Sequence, residues 1–92
     1  MHYVYILKSL KNGKLYTGCT NDLRKRFLQH NEGLSNFTKN NRPYKLIYYE
    51  ACINREDSLS RELYLKSGFG KRYIKSRLKR FLSPTGWIQH KN

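Results

Sequence analysis

The sequence predicts an α+β domain: a three-stranded antiparallel sheet flanked by helices, in the order strand, strand, helix, strand, helix, helix. Three observations predict it. Two short β-branched and aromatic runs lie on either side of an Asn-Gly pair. A third apolar run of strand length follows a polar loop, and three segments, one before that run and two after it, repeat apolar residues at helical spacing between Gly and Pro punctuation. A length of 92 residues suits one domain, assigned to residues 1–82, with 83–92 as a C-terminal tail.

Tyr3 to Leu7 and Leu15 to Thr17 form the arms of a hairpin, and Asn12-Gly13 between them favours a type I′ turn. Thr20 and Asn21 are each suited to cap the first helix, Asp22 falls in its first turn, and Leu23, Phe27 and His30 recur on one side until Gly33 ends it. Leu34 to Arg42 is polar and basic and reads as an exposed loop within reach of a ligand. Tyr44 to Ala51 carries Leu46-Ile47-Tyr48-Tyr49, a continuous apolar run that suits the buried middle of a small sheet. Asn54 caps the second helix, with Glu56 and Asp57 in its first turn, Leu59 and Leu63 as its buried stripe and Gly68 just past its end. A third helix spans about Lys71 to Leu82, where Ile74, Leu78, Phe81 and Leu82 share a face, and Pro84 stops it. The tail beyond carries Trp87 and Ile88.

Composition narrows the class. Lys and Arg number 19 against 6 Asp and Glu, a net charge of +13, so the chain repels itself and attracts polyanions. With 38% apolar residues and 8 Tyr, it has too much core material for a disordered basic tail. No apolar run approaches the roughly 20 residues of a membrane-spanning helix, and the N-terminal apolar run is too short for a signal sequence; the expectation is a soluble cytoplasmic protein with no membrane partner. Cys19 and Cys52 have no paired spacing and read as reduced thiols.

The residues able to do chemistry are few. Tyr5 and Tyr16 sit one on each hairpin arm, with Gly18 where a backbone turns or is closely approached; alone, strand tyrosines read as packing. Arg26 and His30 lie four apart and share a helix ledge, beside the exposed basic run that includes Arg24 and Lys25. Glu62 borders the buried stripe of the second helix, near Arg61 and Lys66. It reads equally as an ordinary ion pair or as a ligand of Mg²⁺, which takes one or two carboxylates and lets phosphate oxygens and water complete its shell. From Lys66 to Arg80 there are Lys66, Lys71, Arg72, Lys75, Arg77, Lys79 and Arg80 without one acid, a footprint for phosphate contact. Lys39 adds a cation in the polar loop.

In order, Tyr3-Val4-Tyr5, ten residues, Tyr16-Thr17-Gly18, then Asp22 to Asn31 and Arg61-Glu62, the sequence resembles the GIY-YIG endonucleases over most of Tyr3 to Leu82. It is most similar to small stand-alone bacterial members related to the nuclease domain of the repair excinuclease subunit. The resemblance implies hydrolysis of a DNA phosphodiester with one divalent metal, Mg²⁺ or Mn²⁺. Carried over by position, Glu62 would hold the metal and Arg26 would neutralise charge on the attacked phosphate. Tyr16 or Tyr5 would orient or deprotonate the water, and His30 would assist by hydrogen bonding. Arg24, Lys25, Lys39, Lys66, Lys71, Arg72, Lys75 and Lys79 are the expected nucleic-acid contacts. With no separate recognition domain evident, the expected activity is structure-preferring or non-specific, in DNA repair or recombination. The competing reading is a catalytically weak or inactive nucleic-acid-binding module of the same fold, with RNA as an alternative ligand; a protein partner is not specified by the sequence.

Overall fold

A computed structural model of the chain describes residues 1–82, so the tail assigned to 83–92 lies outside the described residues. The elements are β1 (His2–Ser9), β2 (Leu15–Thr20), α1 (Leu23–Asn31), β3 (Tyr44–Cys52), α2 (Arg55–Lys66), α3 (Gly68–Arg77) and α4 (Lys79–Leu82). The strands form one antiparallel sheet in the order β2-β1-β3. The fold class is the one the sequence predicts.

The central strand is β1, whose run Val4-Tyr5-Ile6-Leu7 is buried throughout. The buried middle was expected instead at β3, from its longer apolar run; β3 is an edge strand, and Tyr49 is 53% exposed. The hairpin turn also differs from expectation. Gly13 alone adopts a positive φ, and its N–H donates to Ser9 O over four residues, so the turn is wider than type I′, which needs two left-handed residues. The Ser9 hydroxyl accepts from the amides of Lys11 and Asn12 and fills the space inside it.

Pairing of β1 with β3 slips by one residue between Ile6 and Leu7, so that Tyr48 faces Ile6 and Leu46 faces Leu7, with Ile47 the extra residue. Side chains alternate faces along a strand, so a one-residue bulge exchanges them. Here it turns Leu46 and Tyr44 onto the face that bears Tyr5 and Leu7, where they pack with Tyr16 and with Leu23 and Phe27 of α1. Because β2 extends through Thr20, the cap of α1 moves to Asp22, whose carboxylate accepts from Lys25 N at 3.1 Å.

The opposite face carries Val4 and Ile6 and meets α2. Cys19 Sγ donates to Ser58 Oγ at 3.2 Å, and Arg61 reaches Glu50 through two bonds of 2.8 and 2.9 Å. Asn54 caps α2 as expected, accepting from Asp57 N. Its inward stripe, however, runs through Ser58 and Glu62; Leu59 is only half-buried and Leu63 is exposed. Polar contacts to the sheet set the helix rotation, and they outweigh the burial of two leucines.

The chain divides into two compact units, Met1–Glu62 and Leu63–Asn92. Within the second, the expected single helix is broken at Leu78, where φ is −112° and ψ is 26°, giving α3 and the short α4. Lys75, Arg77, Lys79 and Arg80 crowd this junction, and their repulsion works against one continuous helix. Ser67 caps α3 by accepting from Gly70 N, so Gly68 opens α3 in addition to following α2. Ile74 is buried and Leu78 half-buried as the periodicity predicts, while Phe81 is 45% exposed.

Candidate active site

Register places Tyr5 opposite Gly18 and Tyr16 opposite Leu7, so both tyrosines project from the face covered by α1. Their ring centroids lie 6.4 Å apart. Gly18 is part of β2, not its end, and its lack of a side chain is what the site uses: a Cβ there would collide with the Tyr5 hydroxyl and ring. Into this pair α1 inserts His30, 5.7 Å from the Tyr5 ring and 5.1 Å from that of Tyr16, with Tyr44 on its far side at 6.3 Å.

His30 has no exposed surface. Its Nε2 lies 2.7 Å from the Tyr5 hydroxyl and its Nδ1 2.7 Å from Thr38 Oγ1. Burial, helped by the nearby charge of Arg26, pulls its pKa from 6.5 down to about 4, so the ring is neutral at physiological pH. Burial also pushes Tyr5 up to about 12, and the neighbouring Tyr16 adds to this. The Arg26 guanidinium at the Tyr5 hydroxyl works in the opposite direction. Tyr5 therefore keeps its proton near neutral pH and is suited to donate a hydrogen bond. Burial raises Tyr44 in the same sense.

Arg26 is half-buried and held by Gln29, whose Oε1 accepts from Nη1 at 3.1 Å. It opens onto a surface cleft lined by Thr20, Asn21, Asp22, Lys25 and Gln29. Glu62 is half-buried on the inward side of α2, and its charge is felt at the Tyr5 hydroxyl. Tyr5, Tyr16, Arg26 and His30 thus meet on one face of the sheet, with Glu62 within electrostatic reach.

The expected nucleic-acid contacts are all exposed. Arg24 and Lys25 lie on α1, and Lys39 on a short helical turn, Lys39–Asn41. Lys66, Lys71, Arg72, Lys75 and Lys79 belong to the second unit, where Arg72 stacks on Phe69 at 4.7 Å.

The loop before β3 is not the wholly exposed segment the sequence suggested. Ser35 and Thr38 are buried, and the loop is tied down at both ends. Asn31 and Tyr44 exchange two hydrogen bonds, and Ser9 Oγ donates to Asn41 O. The loop thereby delivers Thr38 to His30, a contact that sequence reasoning missed. Polar loop residues carry no periodicity, so one buried threonine among Asn36, Lys39 and Asn40 has no distinguishing signal.

Among the described residues, no group of three or more His, Cys, Asp or Glu could enclose a metal ion. The half-buried carboxylate of Glu62, whose charge is felt at the Tyr5 hydroxyl, is instead the kind of single ligand that a hard cation such as Mg²⁺ or Mn²⁺ takes when it keeps several waters and shares phosphate oxygens with a substrate. No helix among these residues is long and apolar enough to cross a membrane.

The chain is 48% identical over 67 residues to a UPF0213 protein of Clostridium perfringens, covering 72% of this chain and 71% of that one. It is 42% identical over 67 residues to a UPF0213 protein of Staphylococcus saprophyticus, covering 72% and 80%. The solution structure of a UPF0213 protein from Bacillus halodurans is similar at a TM-score of 0.50, with 33% identity and 82% of each chain covered. The model of the GIY-YIG catalytic domain matches residues 1–84, a domain of nuclease type that implies a nucleic-acid substrate. With the paired tyrosine strands side by side and α1 laid across them, this chain belongs to the GIY-YIG catalytic domain family, alongside small stand-alone bacterial UPF0213 proteins.

Proposed function

We propose that the protein is a metal-dependent DNA endonuclease that hydrolyses phosphodiester bonds with a structural rather than a sequence preference. The observation that carries this reading is the convergence of Tyr5, Tyr16 and His30, from positions up to 25 residues apart, with a guanidinium at the Tyr5 hydroxyl. A packing cluster has no use for an arginine at a buried phenol, whereas phosphoryl transfer needs positioned donors around oxygens that gain charge.

In this reading Arg26 binds the attacked phosphate from the cleft beside α1 and neutralises part of its charge. Tyr5, with its high pKa, donates a hydrogen bond. Tyr16, half-buried against His30 in the same cluster, orients and deprotonates the attacking water. Glu62 would hold Mg²⁺ or Mn²⁺, which when bound supplies charge to the phosphate and acidifies water. The exposed cations of α1, of the Lys39 turn and of the second unit hold the sugar-phosphate backbone without reading bases. A role in DNA repair or recombination follows from a preference for nicked, flapped or branched DNA.

The test is incubation of the purified protein with plain, nicked, flapped and branched duplexes in Mg²⁺, Mn²⁺ or EDTA. Cleavage in either metal and none in EDTA, fastest on interrupted duplexes, is expected. Binding without cleavage in any metal would identify the protein as a nucleic-acid-binding module, and RNA duplexes in the same panel show whether the sugar is discriminated.

A further inference from the structure

Thr38, His30 and Tyr5 form one hydrogen-bonded chain, Oγ1 to Nδ1 and Nε2 to Oη, each link 2.7 Å. Both Thr38 and His30 are fully buried, and Tyr5 is 1% exposed. A neutral imidazole carries one proton, so the three side chains bring three hydrogens to two links. One hydrogen must emerge at an end of the chain.

The two ends differ. Among the described residues, Thr38 Oγ1 has His30 Nδ1 as its sole partner, and solvent does not reach it. A hydroxyl proton left there would be a buried donor without an acceptor, whereas an unused oxygen lone pair is far cheaper. The Tyr5 end meets Arg26, Tyr16 and the charge of Glu62, which is where a phosphate would sit.

We infer that Thr38 is a positioning residue: its hydroxyl donates to Nδ1, so that the His30 proton resides on Nε2 and is given to the Tyr5 oxygen, and the phenolic proton of Tyr5 points out of the chain toward an acceptor oxygen. Tyr5 Oη then receives Nε2–H, and the guanidinium of Arg26 approaches the same oxygen. Its own hydrogen is the one group in the chain still free to bond. The natural acceptor is a non-bridging oxygen of the substrate phosphate, which places Tyr5 as a donor to substrate and leaves water activation to Tyr16. This assignment rests on the endonuclease reading for its consequence, but the direction of the chain rests on hydrogen counting and on the polar groups that meet the Tyr5 end and not the Thr38 end.

The experiment is a long-range proton–nitrogen correlation spectrum of the nitrogen-labelled full chain at neutral pH, with His30 assigned sequentially. The expected result is a single His30 tautomer with Nε2 protonated and Nδ1 bare. Thr38→Val, which keeps the shape and removes the donor, is expected to keep Nε2 protonated, since a proton on Nδ1 would then lack an acceptor, and to move the Nδ1 resonance to that of an unbonded imidazole nitrogen. It is also expected to slow single-turnover cleavage about tenfold at unchanged DNA affinity, and Thr38→Ser to restore both. A native His30 protonated on Nδ1 overturns the inference whether or not any variant folds. So does a folded Thr38→Val with the native Nδ1 resonance and the native cleavage rate. If the native protein cleaves nothing, the endonuclease reading fails separately, and the native spectrum still decides the direction of the chain.

Discussion

Two phenols of the same chemistry are set apart by their surroundings. Tyr5 is enclosed and pushed up to about 12, while Tyr16 is half-buried against the same histidine. Tyr16→Phe should therefore slow the chemical step by roughly 10²–10⁴-fold, the range for losing a general acid or base, with DNA binding unchanged in single-turnover assays. Tyr5→Phe should cost less under saturating DNA and metal; a larger loss from Tyr5→Phe would reverse the two roles. His30 carries the pH dependence of stability. Its folded pKa of about 4 lies below its ordinary 6.5, so the unfolded chain binds the extra proton first. The stability from keeping the ring neutral is complete above 6.5 and is lost as the pH falls from there toward 4. At about 1.4 kcal/mol per pH unit this amounts to roughly 3 kcal/mol. Denaturant melts of the native protein across that window should show the loss, and a flat profile would mean that His30 is not held neutral. None of this was visible in the sequence beyond the residue types. Tyr5, Tyr16, Arg26 and His30 were legible through their intervals, but Thr38 was not, because its value lies in a contact across a loop.

The register of the sheet decides what the site contains. Gly18 sits opposite Tyr5 and leaves room for its ring, so Gly18→Ala should push Tyr5 off His30. The expected outcome is a folded protein destabilised by about 1–3 kcal/mol, the usual cost of overpacking, with cleavage reduced far more than DNA affinity. Unchanged cleavage would mean that the close approach is incidental. The hairpin, α1 and the cap of α2 were readable because local signals dictate them: turn residues, caps and 3.6-residue spacing. The central place of β1 and the rotation of α2 were not, because both depend on partners far along the chain. Leu59 and Leu63 looked like the stripe of α2, yet Ser58 bonded to Cys19 and Arg61 bonded to Glu50 turn Glu62 inward. The bulge at Ile47, which brings Tyr44 to His30, likewise leaves no mark on a run of apolar residues.

At the scale of the molecule, the charge of +13 on 92 residues leads the proposed function to expect backbone contact as the main source of nucleic-acid affinity. Replacing Lys75 and Lys79 with Gln should weaken binding alike on all sequences. It should also flatten the salt dependence by about 0.9 in slope for each lysine that meets a phosphate. An unaltered slope would mean that these lysines face away from the ligand. The central claim is narrower than affinity: that one carboxylate on α2 serves the chemistry of a site built mainly from tyrosine, histidine and arginine. It is tested most directly by single-turnover cleavage of a nicked duplex in Mg²⁺ by the native protein and by Glu62→Ala, with DNA affinity measured on the same preparations. The account predicts that Glu62→Ala abolishes cleavage while affinity is unchanged or slightly higher, since a negative charge leaves a phosphate site; cleavage at the native rate by Glu62→Ala would contradict it.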